Sequence, residues 1–195
     1  MSAIEISFDL HGESIPADYP RKLWAALLRI APTLADSEDV GVISLRGPTN
    51  NGELLLPKRS KLLVRTPLDM LDAVLALSEQ ALQIGDSEVR LGQGKTREIQ
   101  PYPTLAAHLV VGPADEIEFM QMVQTALDAL EVQSKLICGR HHRLNTDGQD
   151  ISGFSLVMHD LKDEDSLRVQ YAGMGSGRNL GCGIFVPYKV ISGLE

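Results

Sequence analysis

The chain has 195 residues, 44% of them apolar and 23% charged, with a formal net charge of −8, so it has the profile of an ordinary globular protein forming one sizeable domain or two small ones. No apolar run approaches the roughly 20 residues that span a bilayer, and Met1-Ser-Ala-Ile-Glu-Ile has neither the basic nor the apolar region of a secretion signal. These features exclude a membrane protein and point to the cytoplasm, where Cys138 and Cys182 are expected to stay reduced.

Ile4, Ile6, Phe8 and Leu10 alternate with polar residues and predict a half-buried strand over 3–10. Asp18-Tyr19-Pro20 opens a helix, with Asp18 as N-cap and Pro20 in the first turn, and Leu23, Trp24, Leu27, Leu28 and Ile30 keep helical spacing. Val40–Leu45 is a second strand, and Asn51-Gly52 marks a hairpin. Lys61–Arg65 mixes polar and apolar positions as a sheet with one wet face does. Pro67 is expected to open a helix over 67–82, and Glu88–Leu91 to form a short strand closed off by Gly92-Gln-Gly94. The order strand, helix, strand, strand, helix, strand is that of a ferredoxin-like unit.

The second half repeats the order. Thr104–Val111 reads as a strand, Ala114–Glu131 as a helix with acids in its first turn, and 135–143 and 151–159 as strands around a turn at Asn145-Thr-Asp-Gly148. A helix over 162–172, begun near Asp163 or Ser166, leads into a glycine-rich loop and a strand at 184–186. The expected fold is therefore α+β: tandem ferredoxin-like, RRM-like units with antiparallel sheets and helices on one face. Gln100-Pro-Tyr-Pro103 separates an N-terminal unit (1–99) from a C-terminal unit (104–195) that carries the loop.

Charge is unevenly spread. Arg46, Lys58, Arg59, Lys61 and Arg65 face only Glu53 within their stretch, and Lys135, Arg140 and Arg143 fall in a stretch with no acid. Confined basic patches allow an acidic protein to meet RNA locally. The loop supplies Gly173, Gly175, Gly177, Gly181 and Gly183 around Arg178, a composition suited either to a long turn or to a backbone cradle for an anion. Gly92-Gln-Gly94-Lys-Thr96 lacks P-loop spacing, and the loop at 173–181 follows a helix and precedes a strand, the reverse of a dinucleotide-binding turn. His141 and His142 are neighbours in a strand and point to opposite faces, so they do not share a metal. Arg140-His-His-Arg143 reads as a basic strand end, while His108 and His159 read as structural histidines. No metal or cofactor is expected.

Phe8-Asp-Leu-His-Gly, Ile15-Pro-Ala-Asp18, Val42-Ile-Ser-Leu-Arg-Gly47, Leu56-Pro-Lys-Arg-Ser-Lys-Leu63 and Gly173–Lys189 occur in order along nearly the whole chain. Together they resemble the Cas-six-type CRISPR endoribonucleases, in particular their short single-chain subfamily. The resemblance implies binding of CRISPR repeat RNA and metal-independent cutting of precursor crRNA, in which a ribose 2′-hydroxyl attacks the neighbouring phosphate to leave a 2′,3′-cyclic phosphate. It also implies retention on the crRNA beside other subunits of a class 1 effector complex. The family commonly has histidine where this chain has Tyr19, Ile43 and Tyr188. The catalytic expectation therefore falls on Tyr19, Lys58 and Ser44. RNA contacts are expected from Arg46, Arg59, Lys61, Arg140, His141, His142, Arg143, Gly175, Gly177, Arg178, Gly181 and Gly183. A repeat-binding subunit that does not cut, or a small-molecule phosphate-binding protein, remains as the alternative.

Overall fold

Alternation sets the first strand, β1 (Ala3–His11): Ile6, Phe8 and Leu10 enter a core, and Glu5, Ser7 and Asp9 take the other face. The computed structural model describes residues 2–144, 146 and 150–188. After β2 (Ser14–Pro16), helix α1 (Tyr19–Ile30) buries Leu23 and Leu27. Its expected cap Asp18 makes no side-chain capping bond, and its carboxylate instead holds Lys22 at 2.7 Å. β3 (Gly41–Val42), β4 (Thr49–Asn50), β5 (Glu53–Leu55) and β6 (Lys61–Pro67) follow, with Asn51 and Gly52 at positive φ in the β4–β5 hairpin. Then come α2 (Leu71–Leu75), β7 (Ala81–Ile84), β8 (Ser87–Leu91) and β9 (Lys95–Glu98). β3, β6, β1 and β9 lie side by side and antiparallel, which is the strand order of a ferredoxin-like unit, while β7 and β8 form a hairpin that extends the sheet from the end of β1.

In the second half, β10 (Leu105–Val111), α3 (Glu116–Ala129), β11 (Lys135–Leu144), β12 (Ile151–His159), α4 (Asp163–Ala172) and β13 (Val186–Pro187) give the sheet order β11-β12-β10-β13, again ferredoxin-like. Asp115 caps α3 by accepting the amide protons of Ile117 and Glu118, both at 3.0 Å. Phe119, Val123 and Leu127 pack with Phe154, Leu156 and Met158 as a separate core. The chain thus forms two units: residues up to Ile99 make up most of the first, Gln100–Arg143 and Ser152–Ser176 most of the second, and Gly177–Gly181 group with the first. The expected turn residues Asn145, Asp147 and Gly148, like Lys189, lie outside the described residues.

Four expectations need correction. The helix over 67–82 shrinks to a 3-10 turn at Leu68–Met70 and the single turn of α2. Glu79 turns to a left-handed φ of 61°, after which Leu82 and Ile84 alternate with exposed Ala81 and Gln83 as a strand. The fourth strand of the first unit is Lys95–Glu98, with all four residues exposed and so without apolar alternation to announce it. The strand expected at Val40–Leu45 is regular only at Gly41–Val42. Ile43 N–H still bonds to Leu63 O at 2.9 Å, but Leu45 N–H is taken by a side chain. The last strand lies at Val186–Pro187 rather than 184–186, because Ile184 and Phe185 are buried before pairing begins.

Candidate functional site

In the first unit, the segment after β3 is tied down by polar contacts. The Tyr19 hydroxyl accepts the Leu45 N–H at 2.8 Å and also bonds to the Ser44 side chain. Tyr19 is only 9% exposed, and burial raises its phenol above the ordinary range, offset in part by those two bonds. A buried phenol that already serves as an acceptor is a poor base at neutral pH. Its geometry instead fixes Ser44, which is half-buried, and leads the chain out to exposed Arg46.

The glycine loop meets this segment. Gly177 and Gly181 adopt left-handed φ values of 80° and 89° on either side of one 3-10 turn, Arg178–Leu180. A Cβ on Gly181 would stand 2.3 Å from Ser44 Oγ, so the position requires glycine for both its φ and its close approach. Arg178, expected as a charged RNA contact, is buried, with Nη1 3.6 Å from Asp39 Oδ1. Burial lowers the guanidinium pKa; Asp39 opposes that shift and Arg65 adds to it. Elsewhere in the loop, Gly183 N–H bonds to Leu109 O at 2.7 Å and Met174 N–H to Gly183 O at 3.0 Å within the second unit. Several loop amides thus serve the fold rather than standing open as an anion cradle. Gly175 is exposed.

Cations stand outward on a different connection. Ser60 N–H closes a turn onto Pro57 O at 2.9 Å, presenting Lys58 and Arg59 to solvent. Lys61 is half-exposed, with Asp9 at 3.4 Å. Arg65 differs from its neighbours in the basic stretch. It is 1% exposed, is held by Glu5 at 3.2 Å, and is lowered in pKa by burial against the opposing pull of Glu5. Arg97 from β9 completes the network, its Nε 2.8 Å from Glu5 Oε1. Sequence reading missed this network because its three members come from three strands; only the register, Glu5 opposite both Arg65 and Arg97, brings them together.

In the second unit, β11 is an edge strand with Arg140, His141 and Arg143 exposed and His142 half-buried. The two histidines part company as expected: the His141 ring lies 5.0 Å from Phe154 edge-on, and the His142 ring 5.2 Å from that of His108. His159 Nδ1 lies 3.3 Å from Thr104 Oγ1, a structural contact. Cys138 and Cys182 are both free thiols. Among the described residues no three His, Cys, Asp or Glu side chains cluster to hold a metal, and no helix is long and apolar enough to cross a membrane.

The architecture is thus two ferredoxin-like units in one chain, with outward basic turns and a glycine loop before the last strand. The Cas6 Crispr family model matches residues 4–190, and the chain belongs to that family. The CRISPR-associated endonuclease Cas6 of Myxococcus xanthus (strain DK1622) is 37% identical over 189 residues, covering 96% of this chain and 82% of the relative. Among solved structures, a CRISPR associated protein Cas6 superposes with a TM-score of 0.69 at 10% identity, over 96% of this chain and 100% of that one. The CRISPR endoribonuclease Cse3 bound to 19 nt RNA does so with a TM-score of 0.55 at 13% identity, over 95% and 98%.

Proposed function

We propose that this protein binds CRISPR repeat RNA in the cytoplasm and cuts precursor crRNA by attack of a ribose 2′-hydroxyl on the adjacent phosphate, needing no metal. After the cut it stays on the crRNA as a subunit of a class 1 effector complex. The observation that carries the reading is the outward set Arg46, Lys58 and Arg59 on the first unit, in a chain whose net charge is −8. Cations concentrated in this way suit a phosphate backbone, which attracts Lys and Arg without base readout. In-line placement makes the attack intramolecular, and Lys58 stabilises the charge that gathers on the dividing phosphate. Ser44 lies on the segment that the Tyr19 hydroxyl holds, which gives Tyr19 a positioning role rather than that of base.

The test is incubation of the protein with its repeat hairpin in EDTA. A product ending in a 2′,3′-cyclic phosphate is expected, and RNA left unbound by the protein would sink the reading. Tyr19→Phe leaves the Leu45 N–H without its acceptor, so stability and cleavage should fall together. Lost cleavage at unchanged stability would overturn the positioning role. A second reading, a repeat-binding subunit that does not cut, is favoured by the same buried Tyr19 and by Ile43 and Tyr188 where histidine is common; a shifted but intact RNA in EDTA would support it.

A further inference from the structure

Among the described residues, Tyr102 and Tyr188 are the exposed aromatic side chains, at 40% and 49%. Tyr188 directly follows β13, and its backbone N–H bonds to Thr104 O at 3.0 Å, which extends the pairing of Leu105 with Pro187 by one residue. On the other side of β10, Leu105 pairs with Met158 and so sets Thr104 beside His159. Their side chains meet, with Thr104 Oγ1 3.3 Å from His159 Nδ1. Tyr188, Thr104 and His159 therefore form one row across three strands. Leu105 and Met158 enter the core with α3 and α4, so alternation turns this row to the opposite face of the sheet. The next row on that face is Val186, Ala106 and Val157, all half-buried and none larger than valine. Tyr188 thus stands at the edge of a shallow apolar floor, with a hydroxyl and an imidazole in its own row.

A low floor beside one exposed ring suits a nucleobase, because every base has a π-face that stacks on an aromatic side chain. Four-stranded sheets of this kind that bind unpaired RNA carry such rings on their free face. Here β10 has no Tyr, Phe or Trp and β12 has only Phe154, which lies in the core, so the ring comes from the edge strand. The opposite edge strand, β11, has exposed Arg140 and Arg143 in a stretch with no acid from Gln133 to Arg143, the charge complement of a phosphate backbone. We propose that Tyr188 stacks an unpaired RNA base on the free face of the second unit's sheet, with the Thr104 hydroxyl at the base edge. The inference rests on the repeat-RNA reading above and deepens it: the ligand here is a single-stranded stretch of RNA. A hydroxyl has one proton and two lone pairs, so the contact with His159 leaves Thr104 a further position for the base. Every group named belongs to the second unit, so a short oligonucleotide is enough to fill the site.

The experiment uses the full chain and an unpaired RNA oligonucleotide from the flank of the repeat, with 2-aminopurine replacing each base in turn. At one position, binding should quench the 2-aminopurine fluorescence, as stacking does. Tyr188→Ala should abolish that quenching and weaken oligonucleotide binding by about 5- to 150-fold, the range for one stacked base, with thermal melting close to wild type. Tyr188→Phe should keep both, because the ring and not its hydroxyl is used. An abasic site at the quenched position should cost wild-type protein as much as Tyr188→Ala does, and should cost that variant nothing further. Tyr102→Ala, on the link segment outside the row, should bind like wild type. Binding unchanged in Tyr188→Ala, or lost as fully in Tyr188→Phe, overturns the stacking while the repeat-RNA reading stands. Wild-type protein that quenches at no position, or that holds the repeat hairpin but not the unpaired oligonucleotide, does the same. Wild-type protein that binds neither RNA overturns both the stacking and the reading beneath it.

Discussion

Replacing Gly181 by alanine tests whether Gly177–Gly181 is seated within the first unit as described. Two costs add. A left-handed φ of 89° is strained for any residue with a Cβ, by about 1–2 kcal/mol. The new methyl would also stand 2.3 Å from Ser44 Oγ, and overpacking of that kind costs about 1–3 kcal/mol. Gly181→Ala should therefore destabilise the first unit by about 2–5 kcal/mol. Ser44→Ala removes the offending oxygen, leaving Val42 O at 3.3 Å and the residue-44 Cβ at 3.5 Å as the nearest atoms. In that background the cost of Gly181→Ala should fall to its backbone part, about 1–2 kcal/mol. Trp24 in α1, the only tryptophan, reports on this unit, so urea unfolding followed by its fluorescence gives all four corners of the cycle. If Gly181→Ala costs the same with and without the Ser44 hydroxyl, the close approach is refuted. A cost below about 0.5 kcal/mol, as at an undemanding surface site, would refute the docking altogether.

Glu5→Gln removes the charge that faces Arg65 at 1% exposure, and thermal unfolding should show a loss of about 3–5 kcal/mol, with Glu5→Met/Arg65→Met closer to wild type. Lys58→Ala/Arg59→Ala should leave melting unchanged but weaken binding to repeat RNA. Each lost phosphate contact should flatten the log-affinity against log-salt slope by about 0.7–0.9, as titrations at several salt concentrations will show. Burial pushes the Cys182 thiol from 9.0 up to about 11. Because the folded value is the higher, its contribution is intact below 9.0 and is lost as pH rises from there through about 11. Stability measured across that range should decline less in Cys182→Ala, and a thiol reagent should label Cys138 well before Cys182 in the native protein.

Much of the fold was readable from pattern. Alternation in β1, β6, β10 and β12 and the apolar spacing of α1 and α3 carried the duplicated strand and helix order. β9 escaped because Lys95-Thr-Arg-Glu98 has no apolar alternation; it is a strand only because β1 offers it a partner in register. The 67–82 stretch misled because Leu68, Leu71, Val74, Leu75 and Leu82 satisfy helical spacing, while pairing with β8 outweighs that local preference beyond Glu79. At the site, exposure of Lys58 and Arg59 followed from a Pro-led turn between strands. Arg178 and Arg65 looked equally available as cations, and only tertiary register distinguishes a buried guanidinium from a surface one. His108 and His142 lie on strands separated by β12, so only the sheet order brings their rings together.

The docking of Gly177–Gly181 on the first unit also bears on synthesis at the ribosome. The first 99 residues leave the exit tunnel long before the turn that seats Arg178 against Asp39 and Gly181 against Ser44. At about 5–20 residues per second, several seconds of translation separate the two. During that interval the nascent first unit lacks one of its own pieces, and the segment around Ser44 has to wait for it. The same order couples completeness to shape: only a chain translated past Gly181 can supply the turn that packs beside Ser44, so prematurely ended chains would lack the finished segment around it.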